Sequence, residues 1–240
     1  MAEFSSFQHT FASPFGIGVQ YGRYPELRSW EAGGYNPDVG TSFETIWDGS
    51  NTYTYPSAAT TMNVVAQATV PATDNGVQVT IVGLDADYNE ITETVTLGDD
   101  SAGGTATTQE FLRINRAYVS NGTAPTDDIT IEQGGTVYSQ ITFPYNISQQ
   151  AVYTVPAGKR GYLMYASLSL EKQKEVVAKF MTRQQGGILI TGGIIGATGD
   201  YQREWIFPPV LKPKTDIEIR AKAGATTSIS ASMQILLETL

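Results

Sequence analysis

Short runs of alternating apolar and polar residues constrain this 240-residue chain more than any other feature. Alternation over five or more positions gives a strand one apolar and one polar face, as in a half-buried sheet. Gly- and Pro-rich turns separate the runs, and many short strands between such turns are typical of a sandwich or a barrel. The clearest runs in the second half are residues 141–145, 162–170, 216–220 and 229–237. The sequence therefore predicts an all-β fold, with a jelly-roll-like sandwich over residues 136–240.

A further set of runs predicts an immunoglobulin-like sandwich over residues 41–135. Residues 77–85 and 91–97 alternate well and form the strongest predicted hairpin, joined by a turn over 86–90. Glu93 falls on the apolar face of the second strand, so we expect it at the margin of a sheet. The other predicted strands are residues 61–66, 111–119 and 128–131. Because the chain has no cysteine, the likeness to an immunoglobulin domain concerns shape alone.

Charge is distributed unevenly along the chain. The net charge is −9, but residues 41–140 carry −11 and residues 141–240 carry +4, and every lysine follows residue 158. Such an abrupt shift predicts a domain boundary near residues 134–140. Two interpretations are open: two domains with different surface chemistry, or two halves that face different partners. The negative total argues against general nucleic-acid binding.

Residues 1–40 show no period of 2 or 3.6 and contain many aromatic residues between Gly and Pro. We interpret them as an extended arm in front of the two sandwiches. Such a segment cannot bury its rings alone, and aromatic and Arg side chains are frequent anchors of interfaces. We expect the arm either to cover the body of the protein or to dock on another subunit, because its aromatic residues argue against disorder. The predicted interface residues are Phe15, Tyr21, Arg23, Tyr24, Arg28 and Trp30.

The sequence offers little catalytic or metal-binding chemistry. The chain has no cysteine and His9 is its single histidine, so a thiolate site is excluded and a His-based triad or two-histidine metal site is hard to build. The acidic segment 85–90 lacks the spacing of a calcium loop and predicts a hairpin turn. The acidic pairs 99–100 and 127–128 are interpreted as turns, unless their loops converge on a divalent ion. We predict no catalytic residue, no metal and no cofactor.

Other segments predict local structure. Residues 192–196 contain the glycines of a phosphate loop but not its Lys-Ser/Thr ending, so we interpret them as turns. Together with the glycines at 186–187 they bracket a short buried strand over 188–191. Prolines place residues 205–210 at a sheet edge, and a strand over 176–183 follows a charged loop.

The sequence also bears on sugar binding and on membrane insertion. Aromatic residues stack on sugars in lectin-like modules, but in β proteins they belong more often to a core or an interface. The acidic N-terminus lacks the basic and apolar regions of a secretory signal, and no apolar run reaches 18 residues, so we expect no membrane helix. The candidates for sugar stacking are Tyr53, Tyr55, Tyr201 and Trp205.

Two groups of segments stand out for their sequence. The first group is TSFETIWDG at 41–49 with YTYP at 53–56, GLDADYNEITETV at 83–95 and FLRINR at 111–116. The second is YTVPAGK at 153–159 with KTDIEIRA at 214–221. Together they touch both predicted domains, cover well under half of the chain and include no active-site motif. These segments resemble virion structural proteins of tailed bacteriophages, especially those of aquatic and cyanobacterial phages.

The resemblance implies a non-enzymatic part of a phage particle, assembled in the cytoplasm of the bacterial host. A capsid cement or decoration protein would clamp neighbouring subunits of the major capsid protein through its arm and one β domain, and a homotrimer is favoured for such a protein. The alternative is a tail, collar or head-attached spike or fibre component that binds glycans on the host surface. For either role we expect no nucleic acid and no membrane as partner.

Overall fold

The computed structural model describes residues 14–49, 51–67, 73–98, 103–171 and 174–240. Within these ranges the chain forms one short helix and seventeen antiparallel strands, so the predicted all-β class is confirmed. No helix in the described ranges is long and apolar enough to cross a membrane. The helix is α1 (Pro14–Gln20), and the strands are β1 (Leu27–Val39), β2 (Glu44–Thr45), β3 (Asn63–Ala66), β4 (Gln78–Leu84), β5 (Glu90–Thr96), β6 (Thr105–Ala106), β7 (Arg113–Val119), β8 (Ile129–Gln133), β9 (Thr136–Ile141), β10 (Val152–Thr154), β11 (Lys159–Leu170), β12 (Val176–Gln184), β13 (Ile190–Ala197), β14 (Tyr201–Glu204), β15 (Val210–Leu211), β16 (Thr215–Ala223) and β17 (Thr227–Thr239).

The first sheet pair is built from strands β3 to β9. One sheet has the order β6-β3-β8-β9 and the other the order β5-β4-β7. In β3 every second residue is buried, as the alternation of its sequence requires. Both sheets contribute to one apolar cluster, for example Ile131 from the first and Ile81 and Ile114 from the second. The core of this pair therefore lies between its two sheets.

The hairpin β4–β5 confirms the strongest local prediction. It pairs without interruption from Gln78 with Thr96 to Leu84 with Glu90. In its turn, Asp85 Oδ1 accepts the backbone N–H groups of Asp87 at 2.9 Å and Asn89 at 2.8 Å. The acidic segment is thus a hairpin turn whose Asp side chain fixes the backbone.

Glu93 also lies where its sequence context predicts. β5 is the outer strand of its sheet. The Glu93 carboxylate accepts the backbone N–H groups of Thr108 at 2.7 Å and Gln109 at 2.8 Å. A carboxylate at a sheet margin thus binds a neighbouring loop instead of entering the core.

The second sheet pair combines the N-terminal strands β1 and β2 with β10 to β17. One sheet has the order β1-β17-β11-β14, with β15 also paired to β11. The other has the order β10-β16-β12-β13, with β2 paired to β16. The largest apolar cluster lies between them and includes Leu163 and Ile235 from one sheet and Ile217 and Ile219 from the other.

Strand β1 corrects the prediction of an extended arm over residues 1–40. It pairs with β17 from Leu27 with Glu238 to Val39 with Thr227. A Cβ atom on Gly34 would lie 2.1 Å from the Ile46 carbonyl oxygen, so glycine is needed for the close approach of these chains. Residues 27–39 are therefore part of a sheet, and their irregular apolar pattern concealed a strand whose partner lies near the other end of the chain.

Strand β9 corrects two further expectations. Because β9 pairs with β8 and Ile141 is buried in the first core, residues 136–141 belong to the first sheet pair and not to the second. The strand predicted over 141–145 is wrong, since β9 ends at Ile141 and a turn follows, in which the Tyr145 N–H donates to the Thr142 carbonyl at 2.8 Å. The specific immunoglobulin-like and jelly-roll-like topologies stay predictions.

Strand β13 overturns the interpretation of residues 186–196. The predicted glycine turns at 192–196 lie inside β13, the edge strand beside β12. The predicted buried strand over 188–191 is also wrong, because Ile188 is 81% exposed and Ile190 59%. By contrast, the predicted strand after the charged loop is present as β12, and Val210 lies in the short strand β15 on a sheet margin, as its neighbouring prolines indicate.

Candidate interaction surfaces

A buried cluster of charged side chains joins the two sheet pairs. Arg113 on β7 donates from Nε to Asp216 Oδ1 at 2.8 Å and from Nη2 to Oδ2 at 3.1 Å. Asp216 lies on β16, and the two side chains are 7% and 3% exposed. Arg183 on β12 donates from Nη2 to Asp216 Oδ2 at 2.6 Å, and Thr154 Oγ1 donates to Oδ1 at 2.7 Å. One buried carboxylate therefore holds arginines from both sheet pairs.

Tyr55 completes this cluster. The Cζ atoms of Arg113 and Arg183 lie 5.0 Å and 4.4 Å from the centre of the Tyr55 ring, within the range of cation–π contacts. Burial raises the pKa of the Tyr55 phenol well above its ordinary value. Burial by itself lowers the pKa of Arg113, but the hydrogen bonds to Asp216, the negative charge of that carboxylate and the nearby tyrosines together more than offset this and raise that pKa. Arg113 therefore stays positively charged, and the contacts of this cluster hold the two sheet pairs together.

Two further sets of contacts join the sheet pairs. Asn115 on β7 donates from Nδ2 to the Thr154 carbonyl at 3.1 Å and accepts the Thr154 N–H at 2.9 Å. Glu90, at the start of β5, pairs with Arg28 and, at 3.0 Å, with Lys159. The acidic half of the chain thus meets basic residues of the second sheet pair. We call these contacts the junction: Glu90, Arg113 and Asn115 on the first sheet pair, and Arg28, Thr154, Lys159, Arg183 and Asp216 on the second.

Two of the predicted interface residues, Arg28 and Trp30, have contacts within this chain. The Trp30 ring lies 5.1 Å from the Tyr153 ring, and Arg116 Cζ lies 4.5 Å from the Trp30 ring centre. Arg28 Cζ lies 5.9 Å from the same centre. Both residues therefore fix β1 against the rest of the protein.

The other four predicted interface residues lie on α1 or just after it. The rings of Phe15 and Tyr24 are 5.4 Å apart, and Arg23, directly before Tyr24 in the sequence, is exposed. Phe15 is 47% exposed and Tyr21 is 77% exposed. The structure thus brings two of the aromatic anchors together and leaves apolar surface accessible on α1.

An open groove of about 550 Å³ runs between α1 and the outer face of the sheet that contains β11 and β17. Phe15 and Val19 line it from the helix, and Met164 and Leu236 line it from the sheet. The groove is therefore a concave and mostly apolar surface next to the exposed rings, with polar side chains also in its lining: Gln20, Ser29, Glu204 and Gln234.

The proposed sugar-stacking residues do not form one exposed platform. Tyr53 is 3% exposed and donates from Oη to the Tyr138 carbonyl at 3.0 Å, and Tyr55 lies in the arginine cluster. Tyr201 and Trp205 are partly buried against the second core. These rings therefore have structural roles, and the candidate sugar platform over Tyr53 and Tyr55 is wrong.

The structure describes one of the two acidic pairs, Asp127 and Asp128. Asp128 accepts the backbone N–H of Phe143 at 2.8 Å and the Gln140 amide at 3.0 Å, which fits a turn. The pair at 99–100 and His9 lie outside the described residues. In the described ranges, no three His, Cys, Asp or Glu side chains come close enough to hold a metal ion.

The structure shows an exposed apolar surface that the sequence analysis missed. Ile206 and Phe207 are each 90% exposed, in the segment between β14 and β15. They follow Trp205, whose ring lies 5.8 Å from that of Phe180, and Phe180 pairs with Gly193 of β13. Strand β13 and the segment between β14 and β15 therefore lie at the same side of the second sheet pair. We call this surface the apolar edge: Ile188, Ile190, Ile194, Ile206, Phe207 and Val210.

Part of the apolar edge is marked in the sequence by an uncharged stretch. Residues 184–199 contain no charged residue and no proline, in a chain that is 16% charged. The many glycines in this stretch favour turns, whereas the structure forms an edge strand there. This strand lacks the charged residues that usually prevent an edge from pairing with another chain.

Comparisons with known proteins give weak likenesses. No protein-family model matches the sequence, and no curated protein matches it. The structure of the infectious bursal disease virus Gt strain is similar with 12% identity and a TM-score of 0.26, over 89% of this chain and 72% of that chain. The structure of the Gx strain gives 13% and 0.25 over the same shares, and a Bacillus thuringiensis Cry1Da tryptic core variant gives 6% and 0.20 over 84% and 53%. At these values the likeness decides neither topology nor function.

Proposed function

We propose that this chain is a non-enzymatic structural protein of a tailed-phage particle: a capsid cement or decoration protein that clamps neighbouring subunits of the major capsid protein. The resemblance of the segments at 41–56, 83–95, 111–116, 153–159 and 214–221 supports the phage particle as its location. The exposed apolar surface of α1 beside its groove is the observation that carries the docking role. The homotrimer and assembly in the bacterial cytoplasm stay predictions of the resemblance.

The helix is held in a defined position. Gln20 Nε2 donates to Ser29 Oγ on β1 at 2.7 Å, and the Leu27 N–H donates to the Tyr24 carbonyl at 2.9 Å. Val19 is buried. The exposed rings are therefore presented on a fixed support, which lowers the entropy cost of binding a partner.

The exposed side chains on α1 and directly after it are not used by the core of their own chain. Phe15 on the helix and Tyr21 after it keep roughly half or more of their surface exposed, and Ile17 is 39% exposed. Aromatic residues beside a groove are typical binding anchors, because they bury much area for few lost torsional degrees of freedom. We propose that an apolar segment of the shell protein fills the groove between α1 and the sheet.

Residues 27–39 form strand β1, so in the N-terminal region only the residues before Leu27 are left for contact with a neighbouring subunit. Residues 27–39 are paired along β17, so deleting residues 1–40 would remove a strand of the second core. A test of docking must therefore leave the chain from Leu27 onward intact.

The test measures binding of the purified full chain to phage particles that lack it. The double variant Phe15→Ser, Tyr21→Ser removes two anchors, and we expect at least tenfold weaker binding, because single anchors contribute about 2 kcal/mol. Copies bound per particle are quantified by mass spectrometry over a range of chain concentrations. The matched control is Phe143→Ser, since Phe143 is similarly exposed at 48% but lies after β9.

Thermal unfolding of each variant separates lost binding from lost folding. Wild-type binding by a folded double variant would contradict docking through α1. If the isolated chain instead binds host cells or glycans and does not bind the particle shell, the alternative of a tail, collar or spike component is supported.

A further inference from the structure

We propose that the apolar edge binds a second copy of this chain, by antiparallel pairing of β13 with β13 of that copy around a two-fold axis. The inference does not depend on the phage particle, because it concerns the isolated chain. It assigns to the apolar edge a partner different from the shell protein proposed for α1.

Strand β13 has an unprotected side. In the described part of the chain it pairs with β12 on one side only, so its other side presents backbone N–H and C=O groups. Proteins usually protect such an edge with Lys, Pro or another charged residue, because a free edge recruits a further strand. The stretch 184–199 has none of these residues. This edge is therefore suited to pairing with a strand of another chain.

Apolar side chains surround the same edge. Ile194 is 65% exposed on the strand itself. The contact between Phe180 and Trp205 brings the segment that carries Ile206 and Phe207 to the side of the sheet pair where β13 lies. Exposed apolar side chains beside a free strand are typical of an interface. Strand pairing would therefore be accompanied by burial of these side chains.

Charge favours a copy of the same chain as the occupant. Each chain carries −9, so two copies repel each other overall, and their association is least opposed at a contact that is free of charge. The stretch 184–199 is neutral and spans the whole of β13. A contact through this stretch places no like charges directly opposite each other.

The sequence of β13 is self-complementary in size. A register shift at Phe180 and Met181 of β12 leaves residues 193–197 as the regular part of β13. In a pair centred on Ile195, each Ile194 lies opposite Gly196 of the second copy, because opposite residues of an antiparallel pair share a face. Gly193 then lies opposite Ala197. Each large side chain outside the centre thus meets a small residue, and the two-fold axis makes both contacts identical.

Sedimentation equilibrium of the full chain tests the stoichiometry. We expect a particle of twice the chain mass of 25.9 kDa, in a monomer–dimer equilibrium. Ile194→Lys should weaken that equilibrium at least 100-fold, because it brings two cations close to the axis. The matched control Phe143→Lys, at an exposed position after β9, should leave it unchanged. A monomer at 100 µM, the homotrimer that the resemblance favours, or a dimer insensitive to Ile194→Lys would overturn the proposal.

Disulfide trapping tests the register and does not rely on a destabilising variant. The chain has no cysteine, so the double variant Ile194→Cys, Gly196→Cys introduces the only thiols. The proposed register places each introduced thiol opposite its counterpart in the second copy, and mild oxidation should give a covalent dimer on a non-reducing gel. A double variant that dimerises without covalent trapping would contradict this register.

Discussion

The junction and the apolar edge have opposite chemistry. The centre of the junction is shielded from water and is built around charged groups, with the Asp216 carboxylate 3% exposed between two arginines. The apolar edge is in contact with water and is built from Ile, Phe and Val, with Phe207 90% exposed. Soluble proteins usually bury apolar groups and expose charged ones. The reversal indicates that the junction already has its partner within the chain, whereas the apolar edge binds a partner from outside.

The two surfaces also differ in what they contribute to stability. A buried ion pair adds little net stability, but removing one member leaves an uncompensated charge in a water-poor site. An exposed apolar side chain can be lost at almost no cost to the isolated fold. Single substitutions in the junction should therefore lower the free energy of unfolding. Substitutions in the apolar edge should leave the stability of the monomer almost unchanged and should weaken its association with a partner.

The largest expected effect is at the junction. Asp216→Asn leaves Arg113 buried without its counter-charge, so we expect the free energy of unfolding to fall by about 3–5 kcal/mol. Urea denaturation measures this change. The control Asp87→Asn, on the exposed hairpin turn, should change stability by less than about 0.5 kcal/mol. A change below about 1 kcal/mol in Asp216→Asn would show that the junction does not depend on its charges.

A second prediction concerns pH and the buried carboxyl of Asp48, which accepts the Gln149 N–H at 3.1 Å. Burial raises the pKa of Asp48 to about 7. Between about pH 4 and pH 7 the folded chain then binds more protons at Asp48 than the unfolded chain does. The contribution of Asp48 to stability is therefore present below pH 4 and is lost as the pH rises towards 7, by up to about 1.4 kcal/mol per pH unit.

Urea denaturation across this pH range checks the prediction by comparison of two variants. Asp48→Asn should remove that part of the slope, because the amide does not titrate. Asp38→Asn, at an exposed position, should keep the wild-type slope. Identical slopes in Asp48→Asn and the wild type would contradict the shifted pKa.

The smallest expected effect is on the apolar edge. Phe207→Ser should change the free energy of unfolding of the isolated monomer by less than about 0.5 kcal/mol, because the ring is almost fully exposed. The same variant should weaken self-association in sedimentation experiments. A loss of more than about 2 kcal/mol in the monomer would mean that Phe207 supports its own fold, and would weaken the contrast between the two surfaces.

Local patterns account for what the sequence predicted correctly. The hairpin β4–β5 combines strict alternation with an Asp-rich turn whose backbone is fixed by Asp85, and the pairs between its two strands all lie within twenty residues. Strand β12 is likewise marked by alternation. Such elements can be found from sequence because the interactions that specify them are close along the chain.

Long-range contacts account for what was missed. The partner of β1 is β17, about 200 positions later, and the alternation of β1 is interrupted by Gly33 and Gly34. Arg113 and Asp216 are separated by 103 positions, and no local pattern links them. The glycines of β13 indicate turns when only the local sequence is considered, although in an edge strand glycine also leaves room for a facing chain. Of the predicted arm residues, Arg28 belongs to the junction, Trp30 packs on Tyr153, and the other four lie on α1 or just after it. Only the fold determines this division.

The measurement that tests the proposed function most directly is the copy number of this chain in purified phage particles, by quantitative mass spectrometry against the major capsid protein. A cement or decoration protein should be present at a ratio near one copy per capsid subunit. On the order of ten copies per particle would instead place the chain in the collar, tail or spikes. Absence of the chain from the particles would contradict a structural role in the virion.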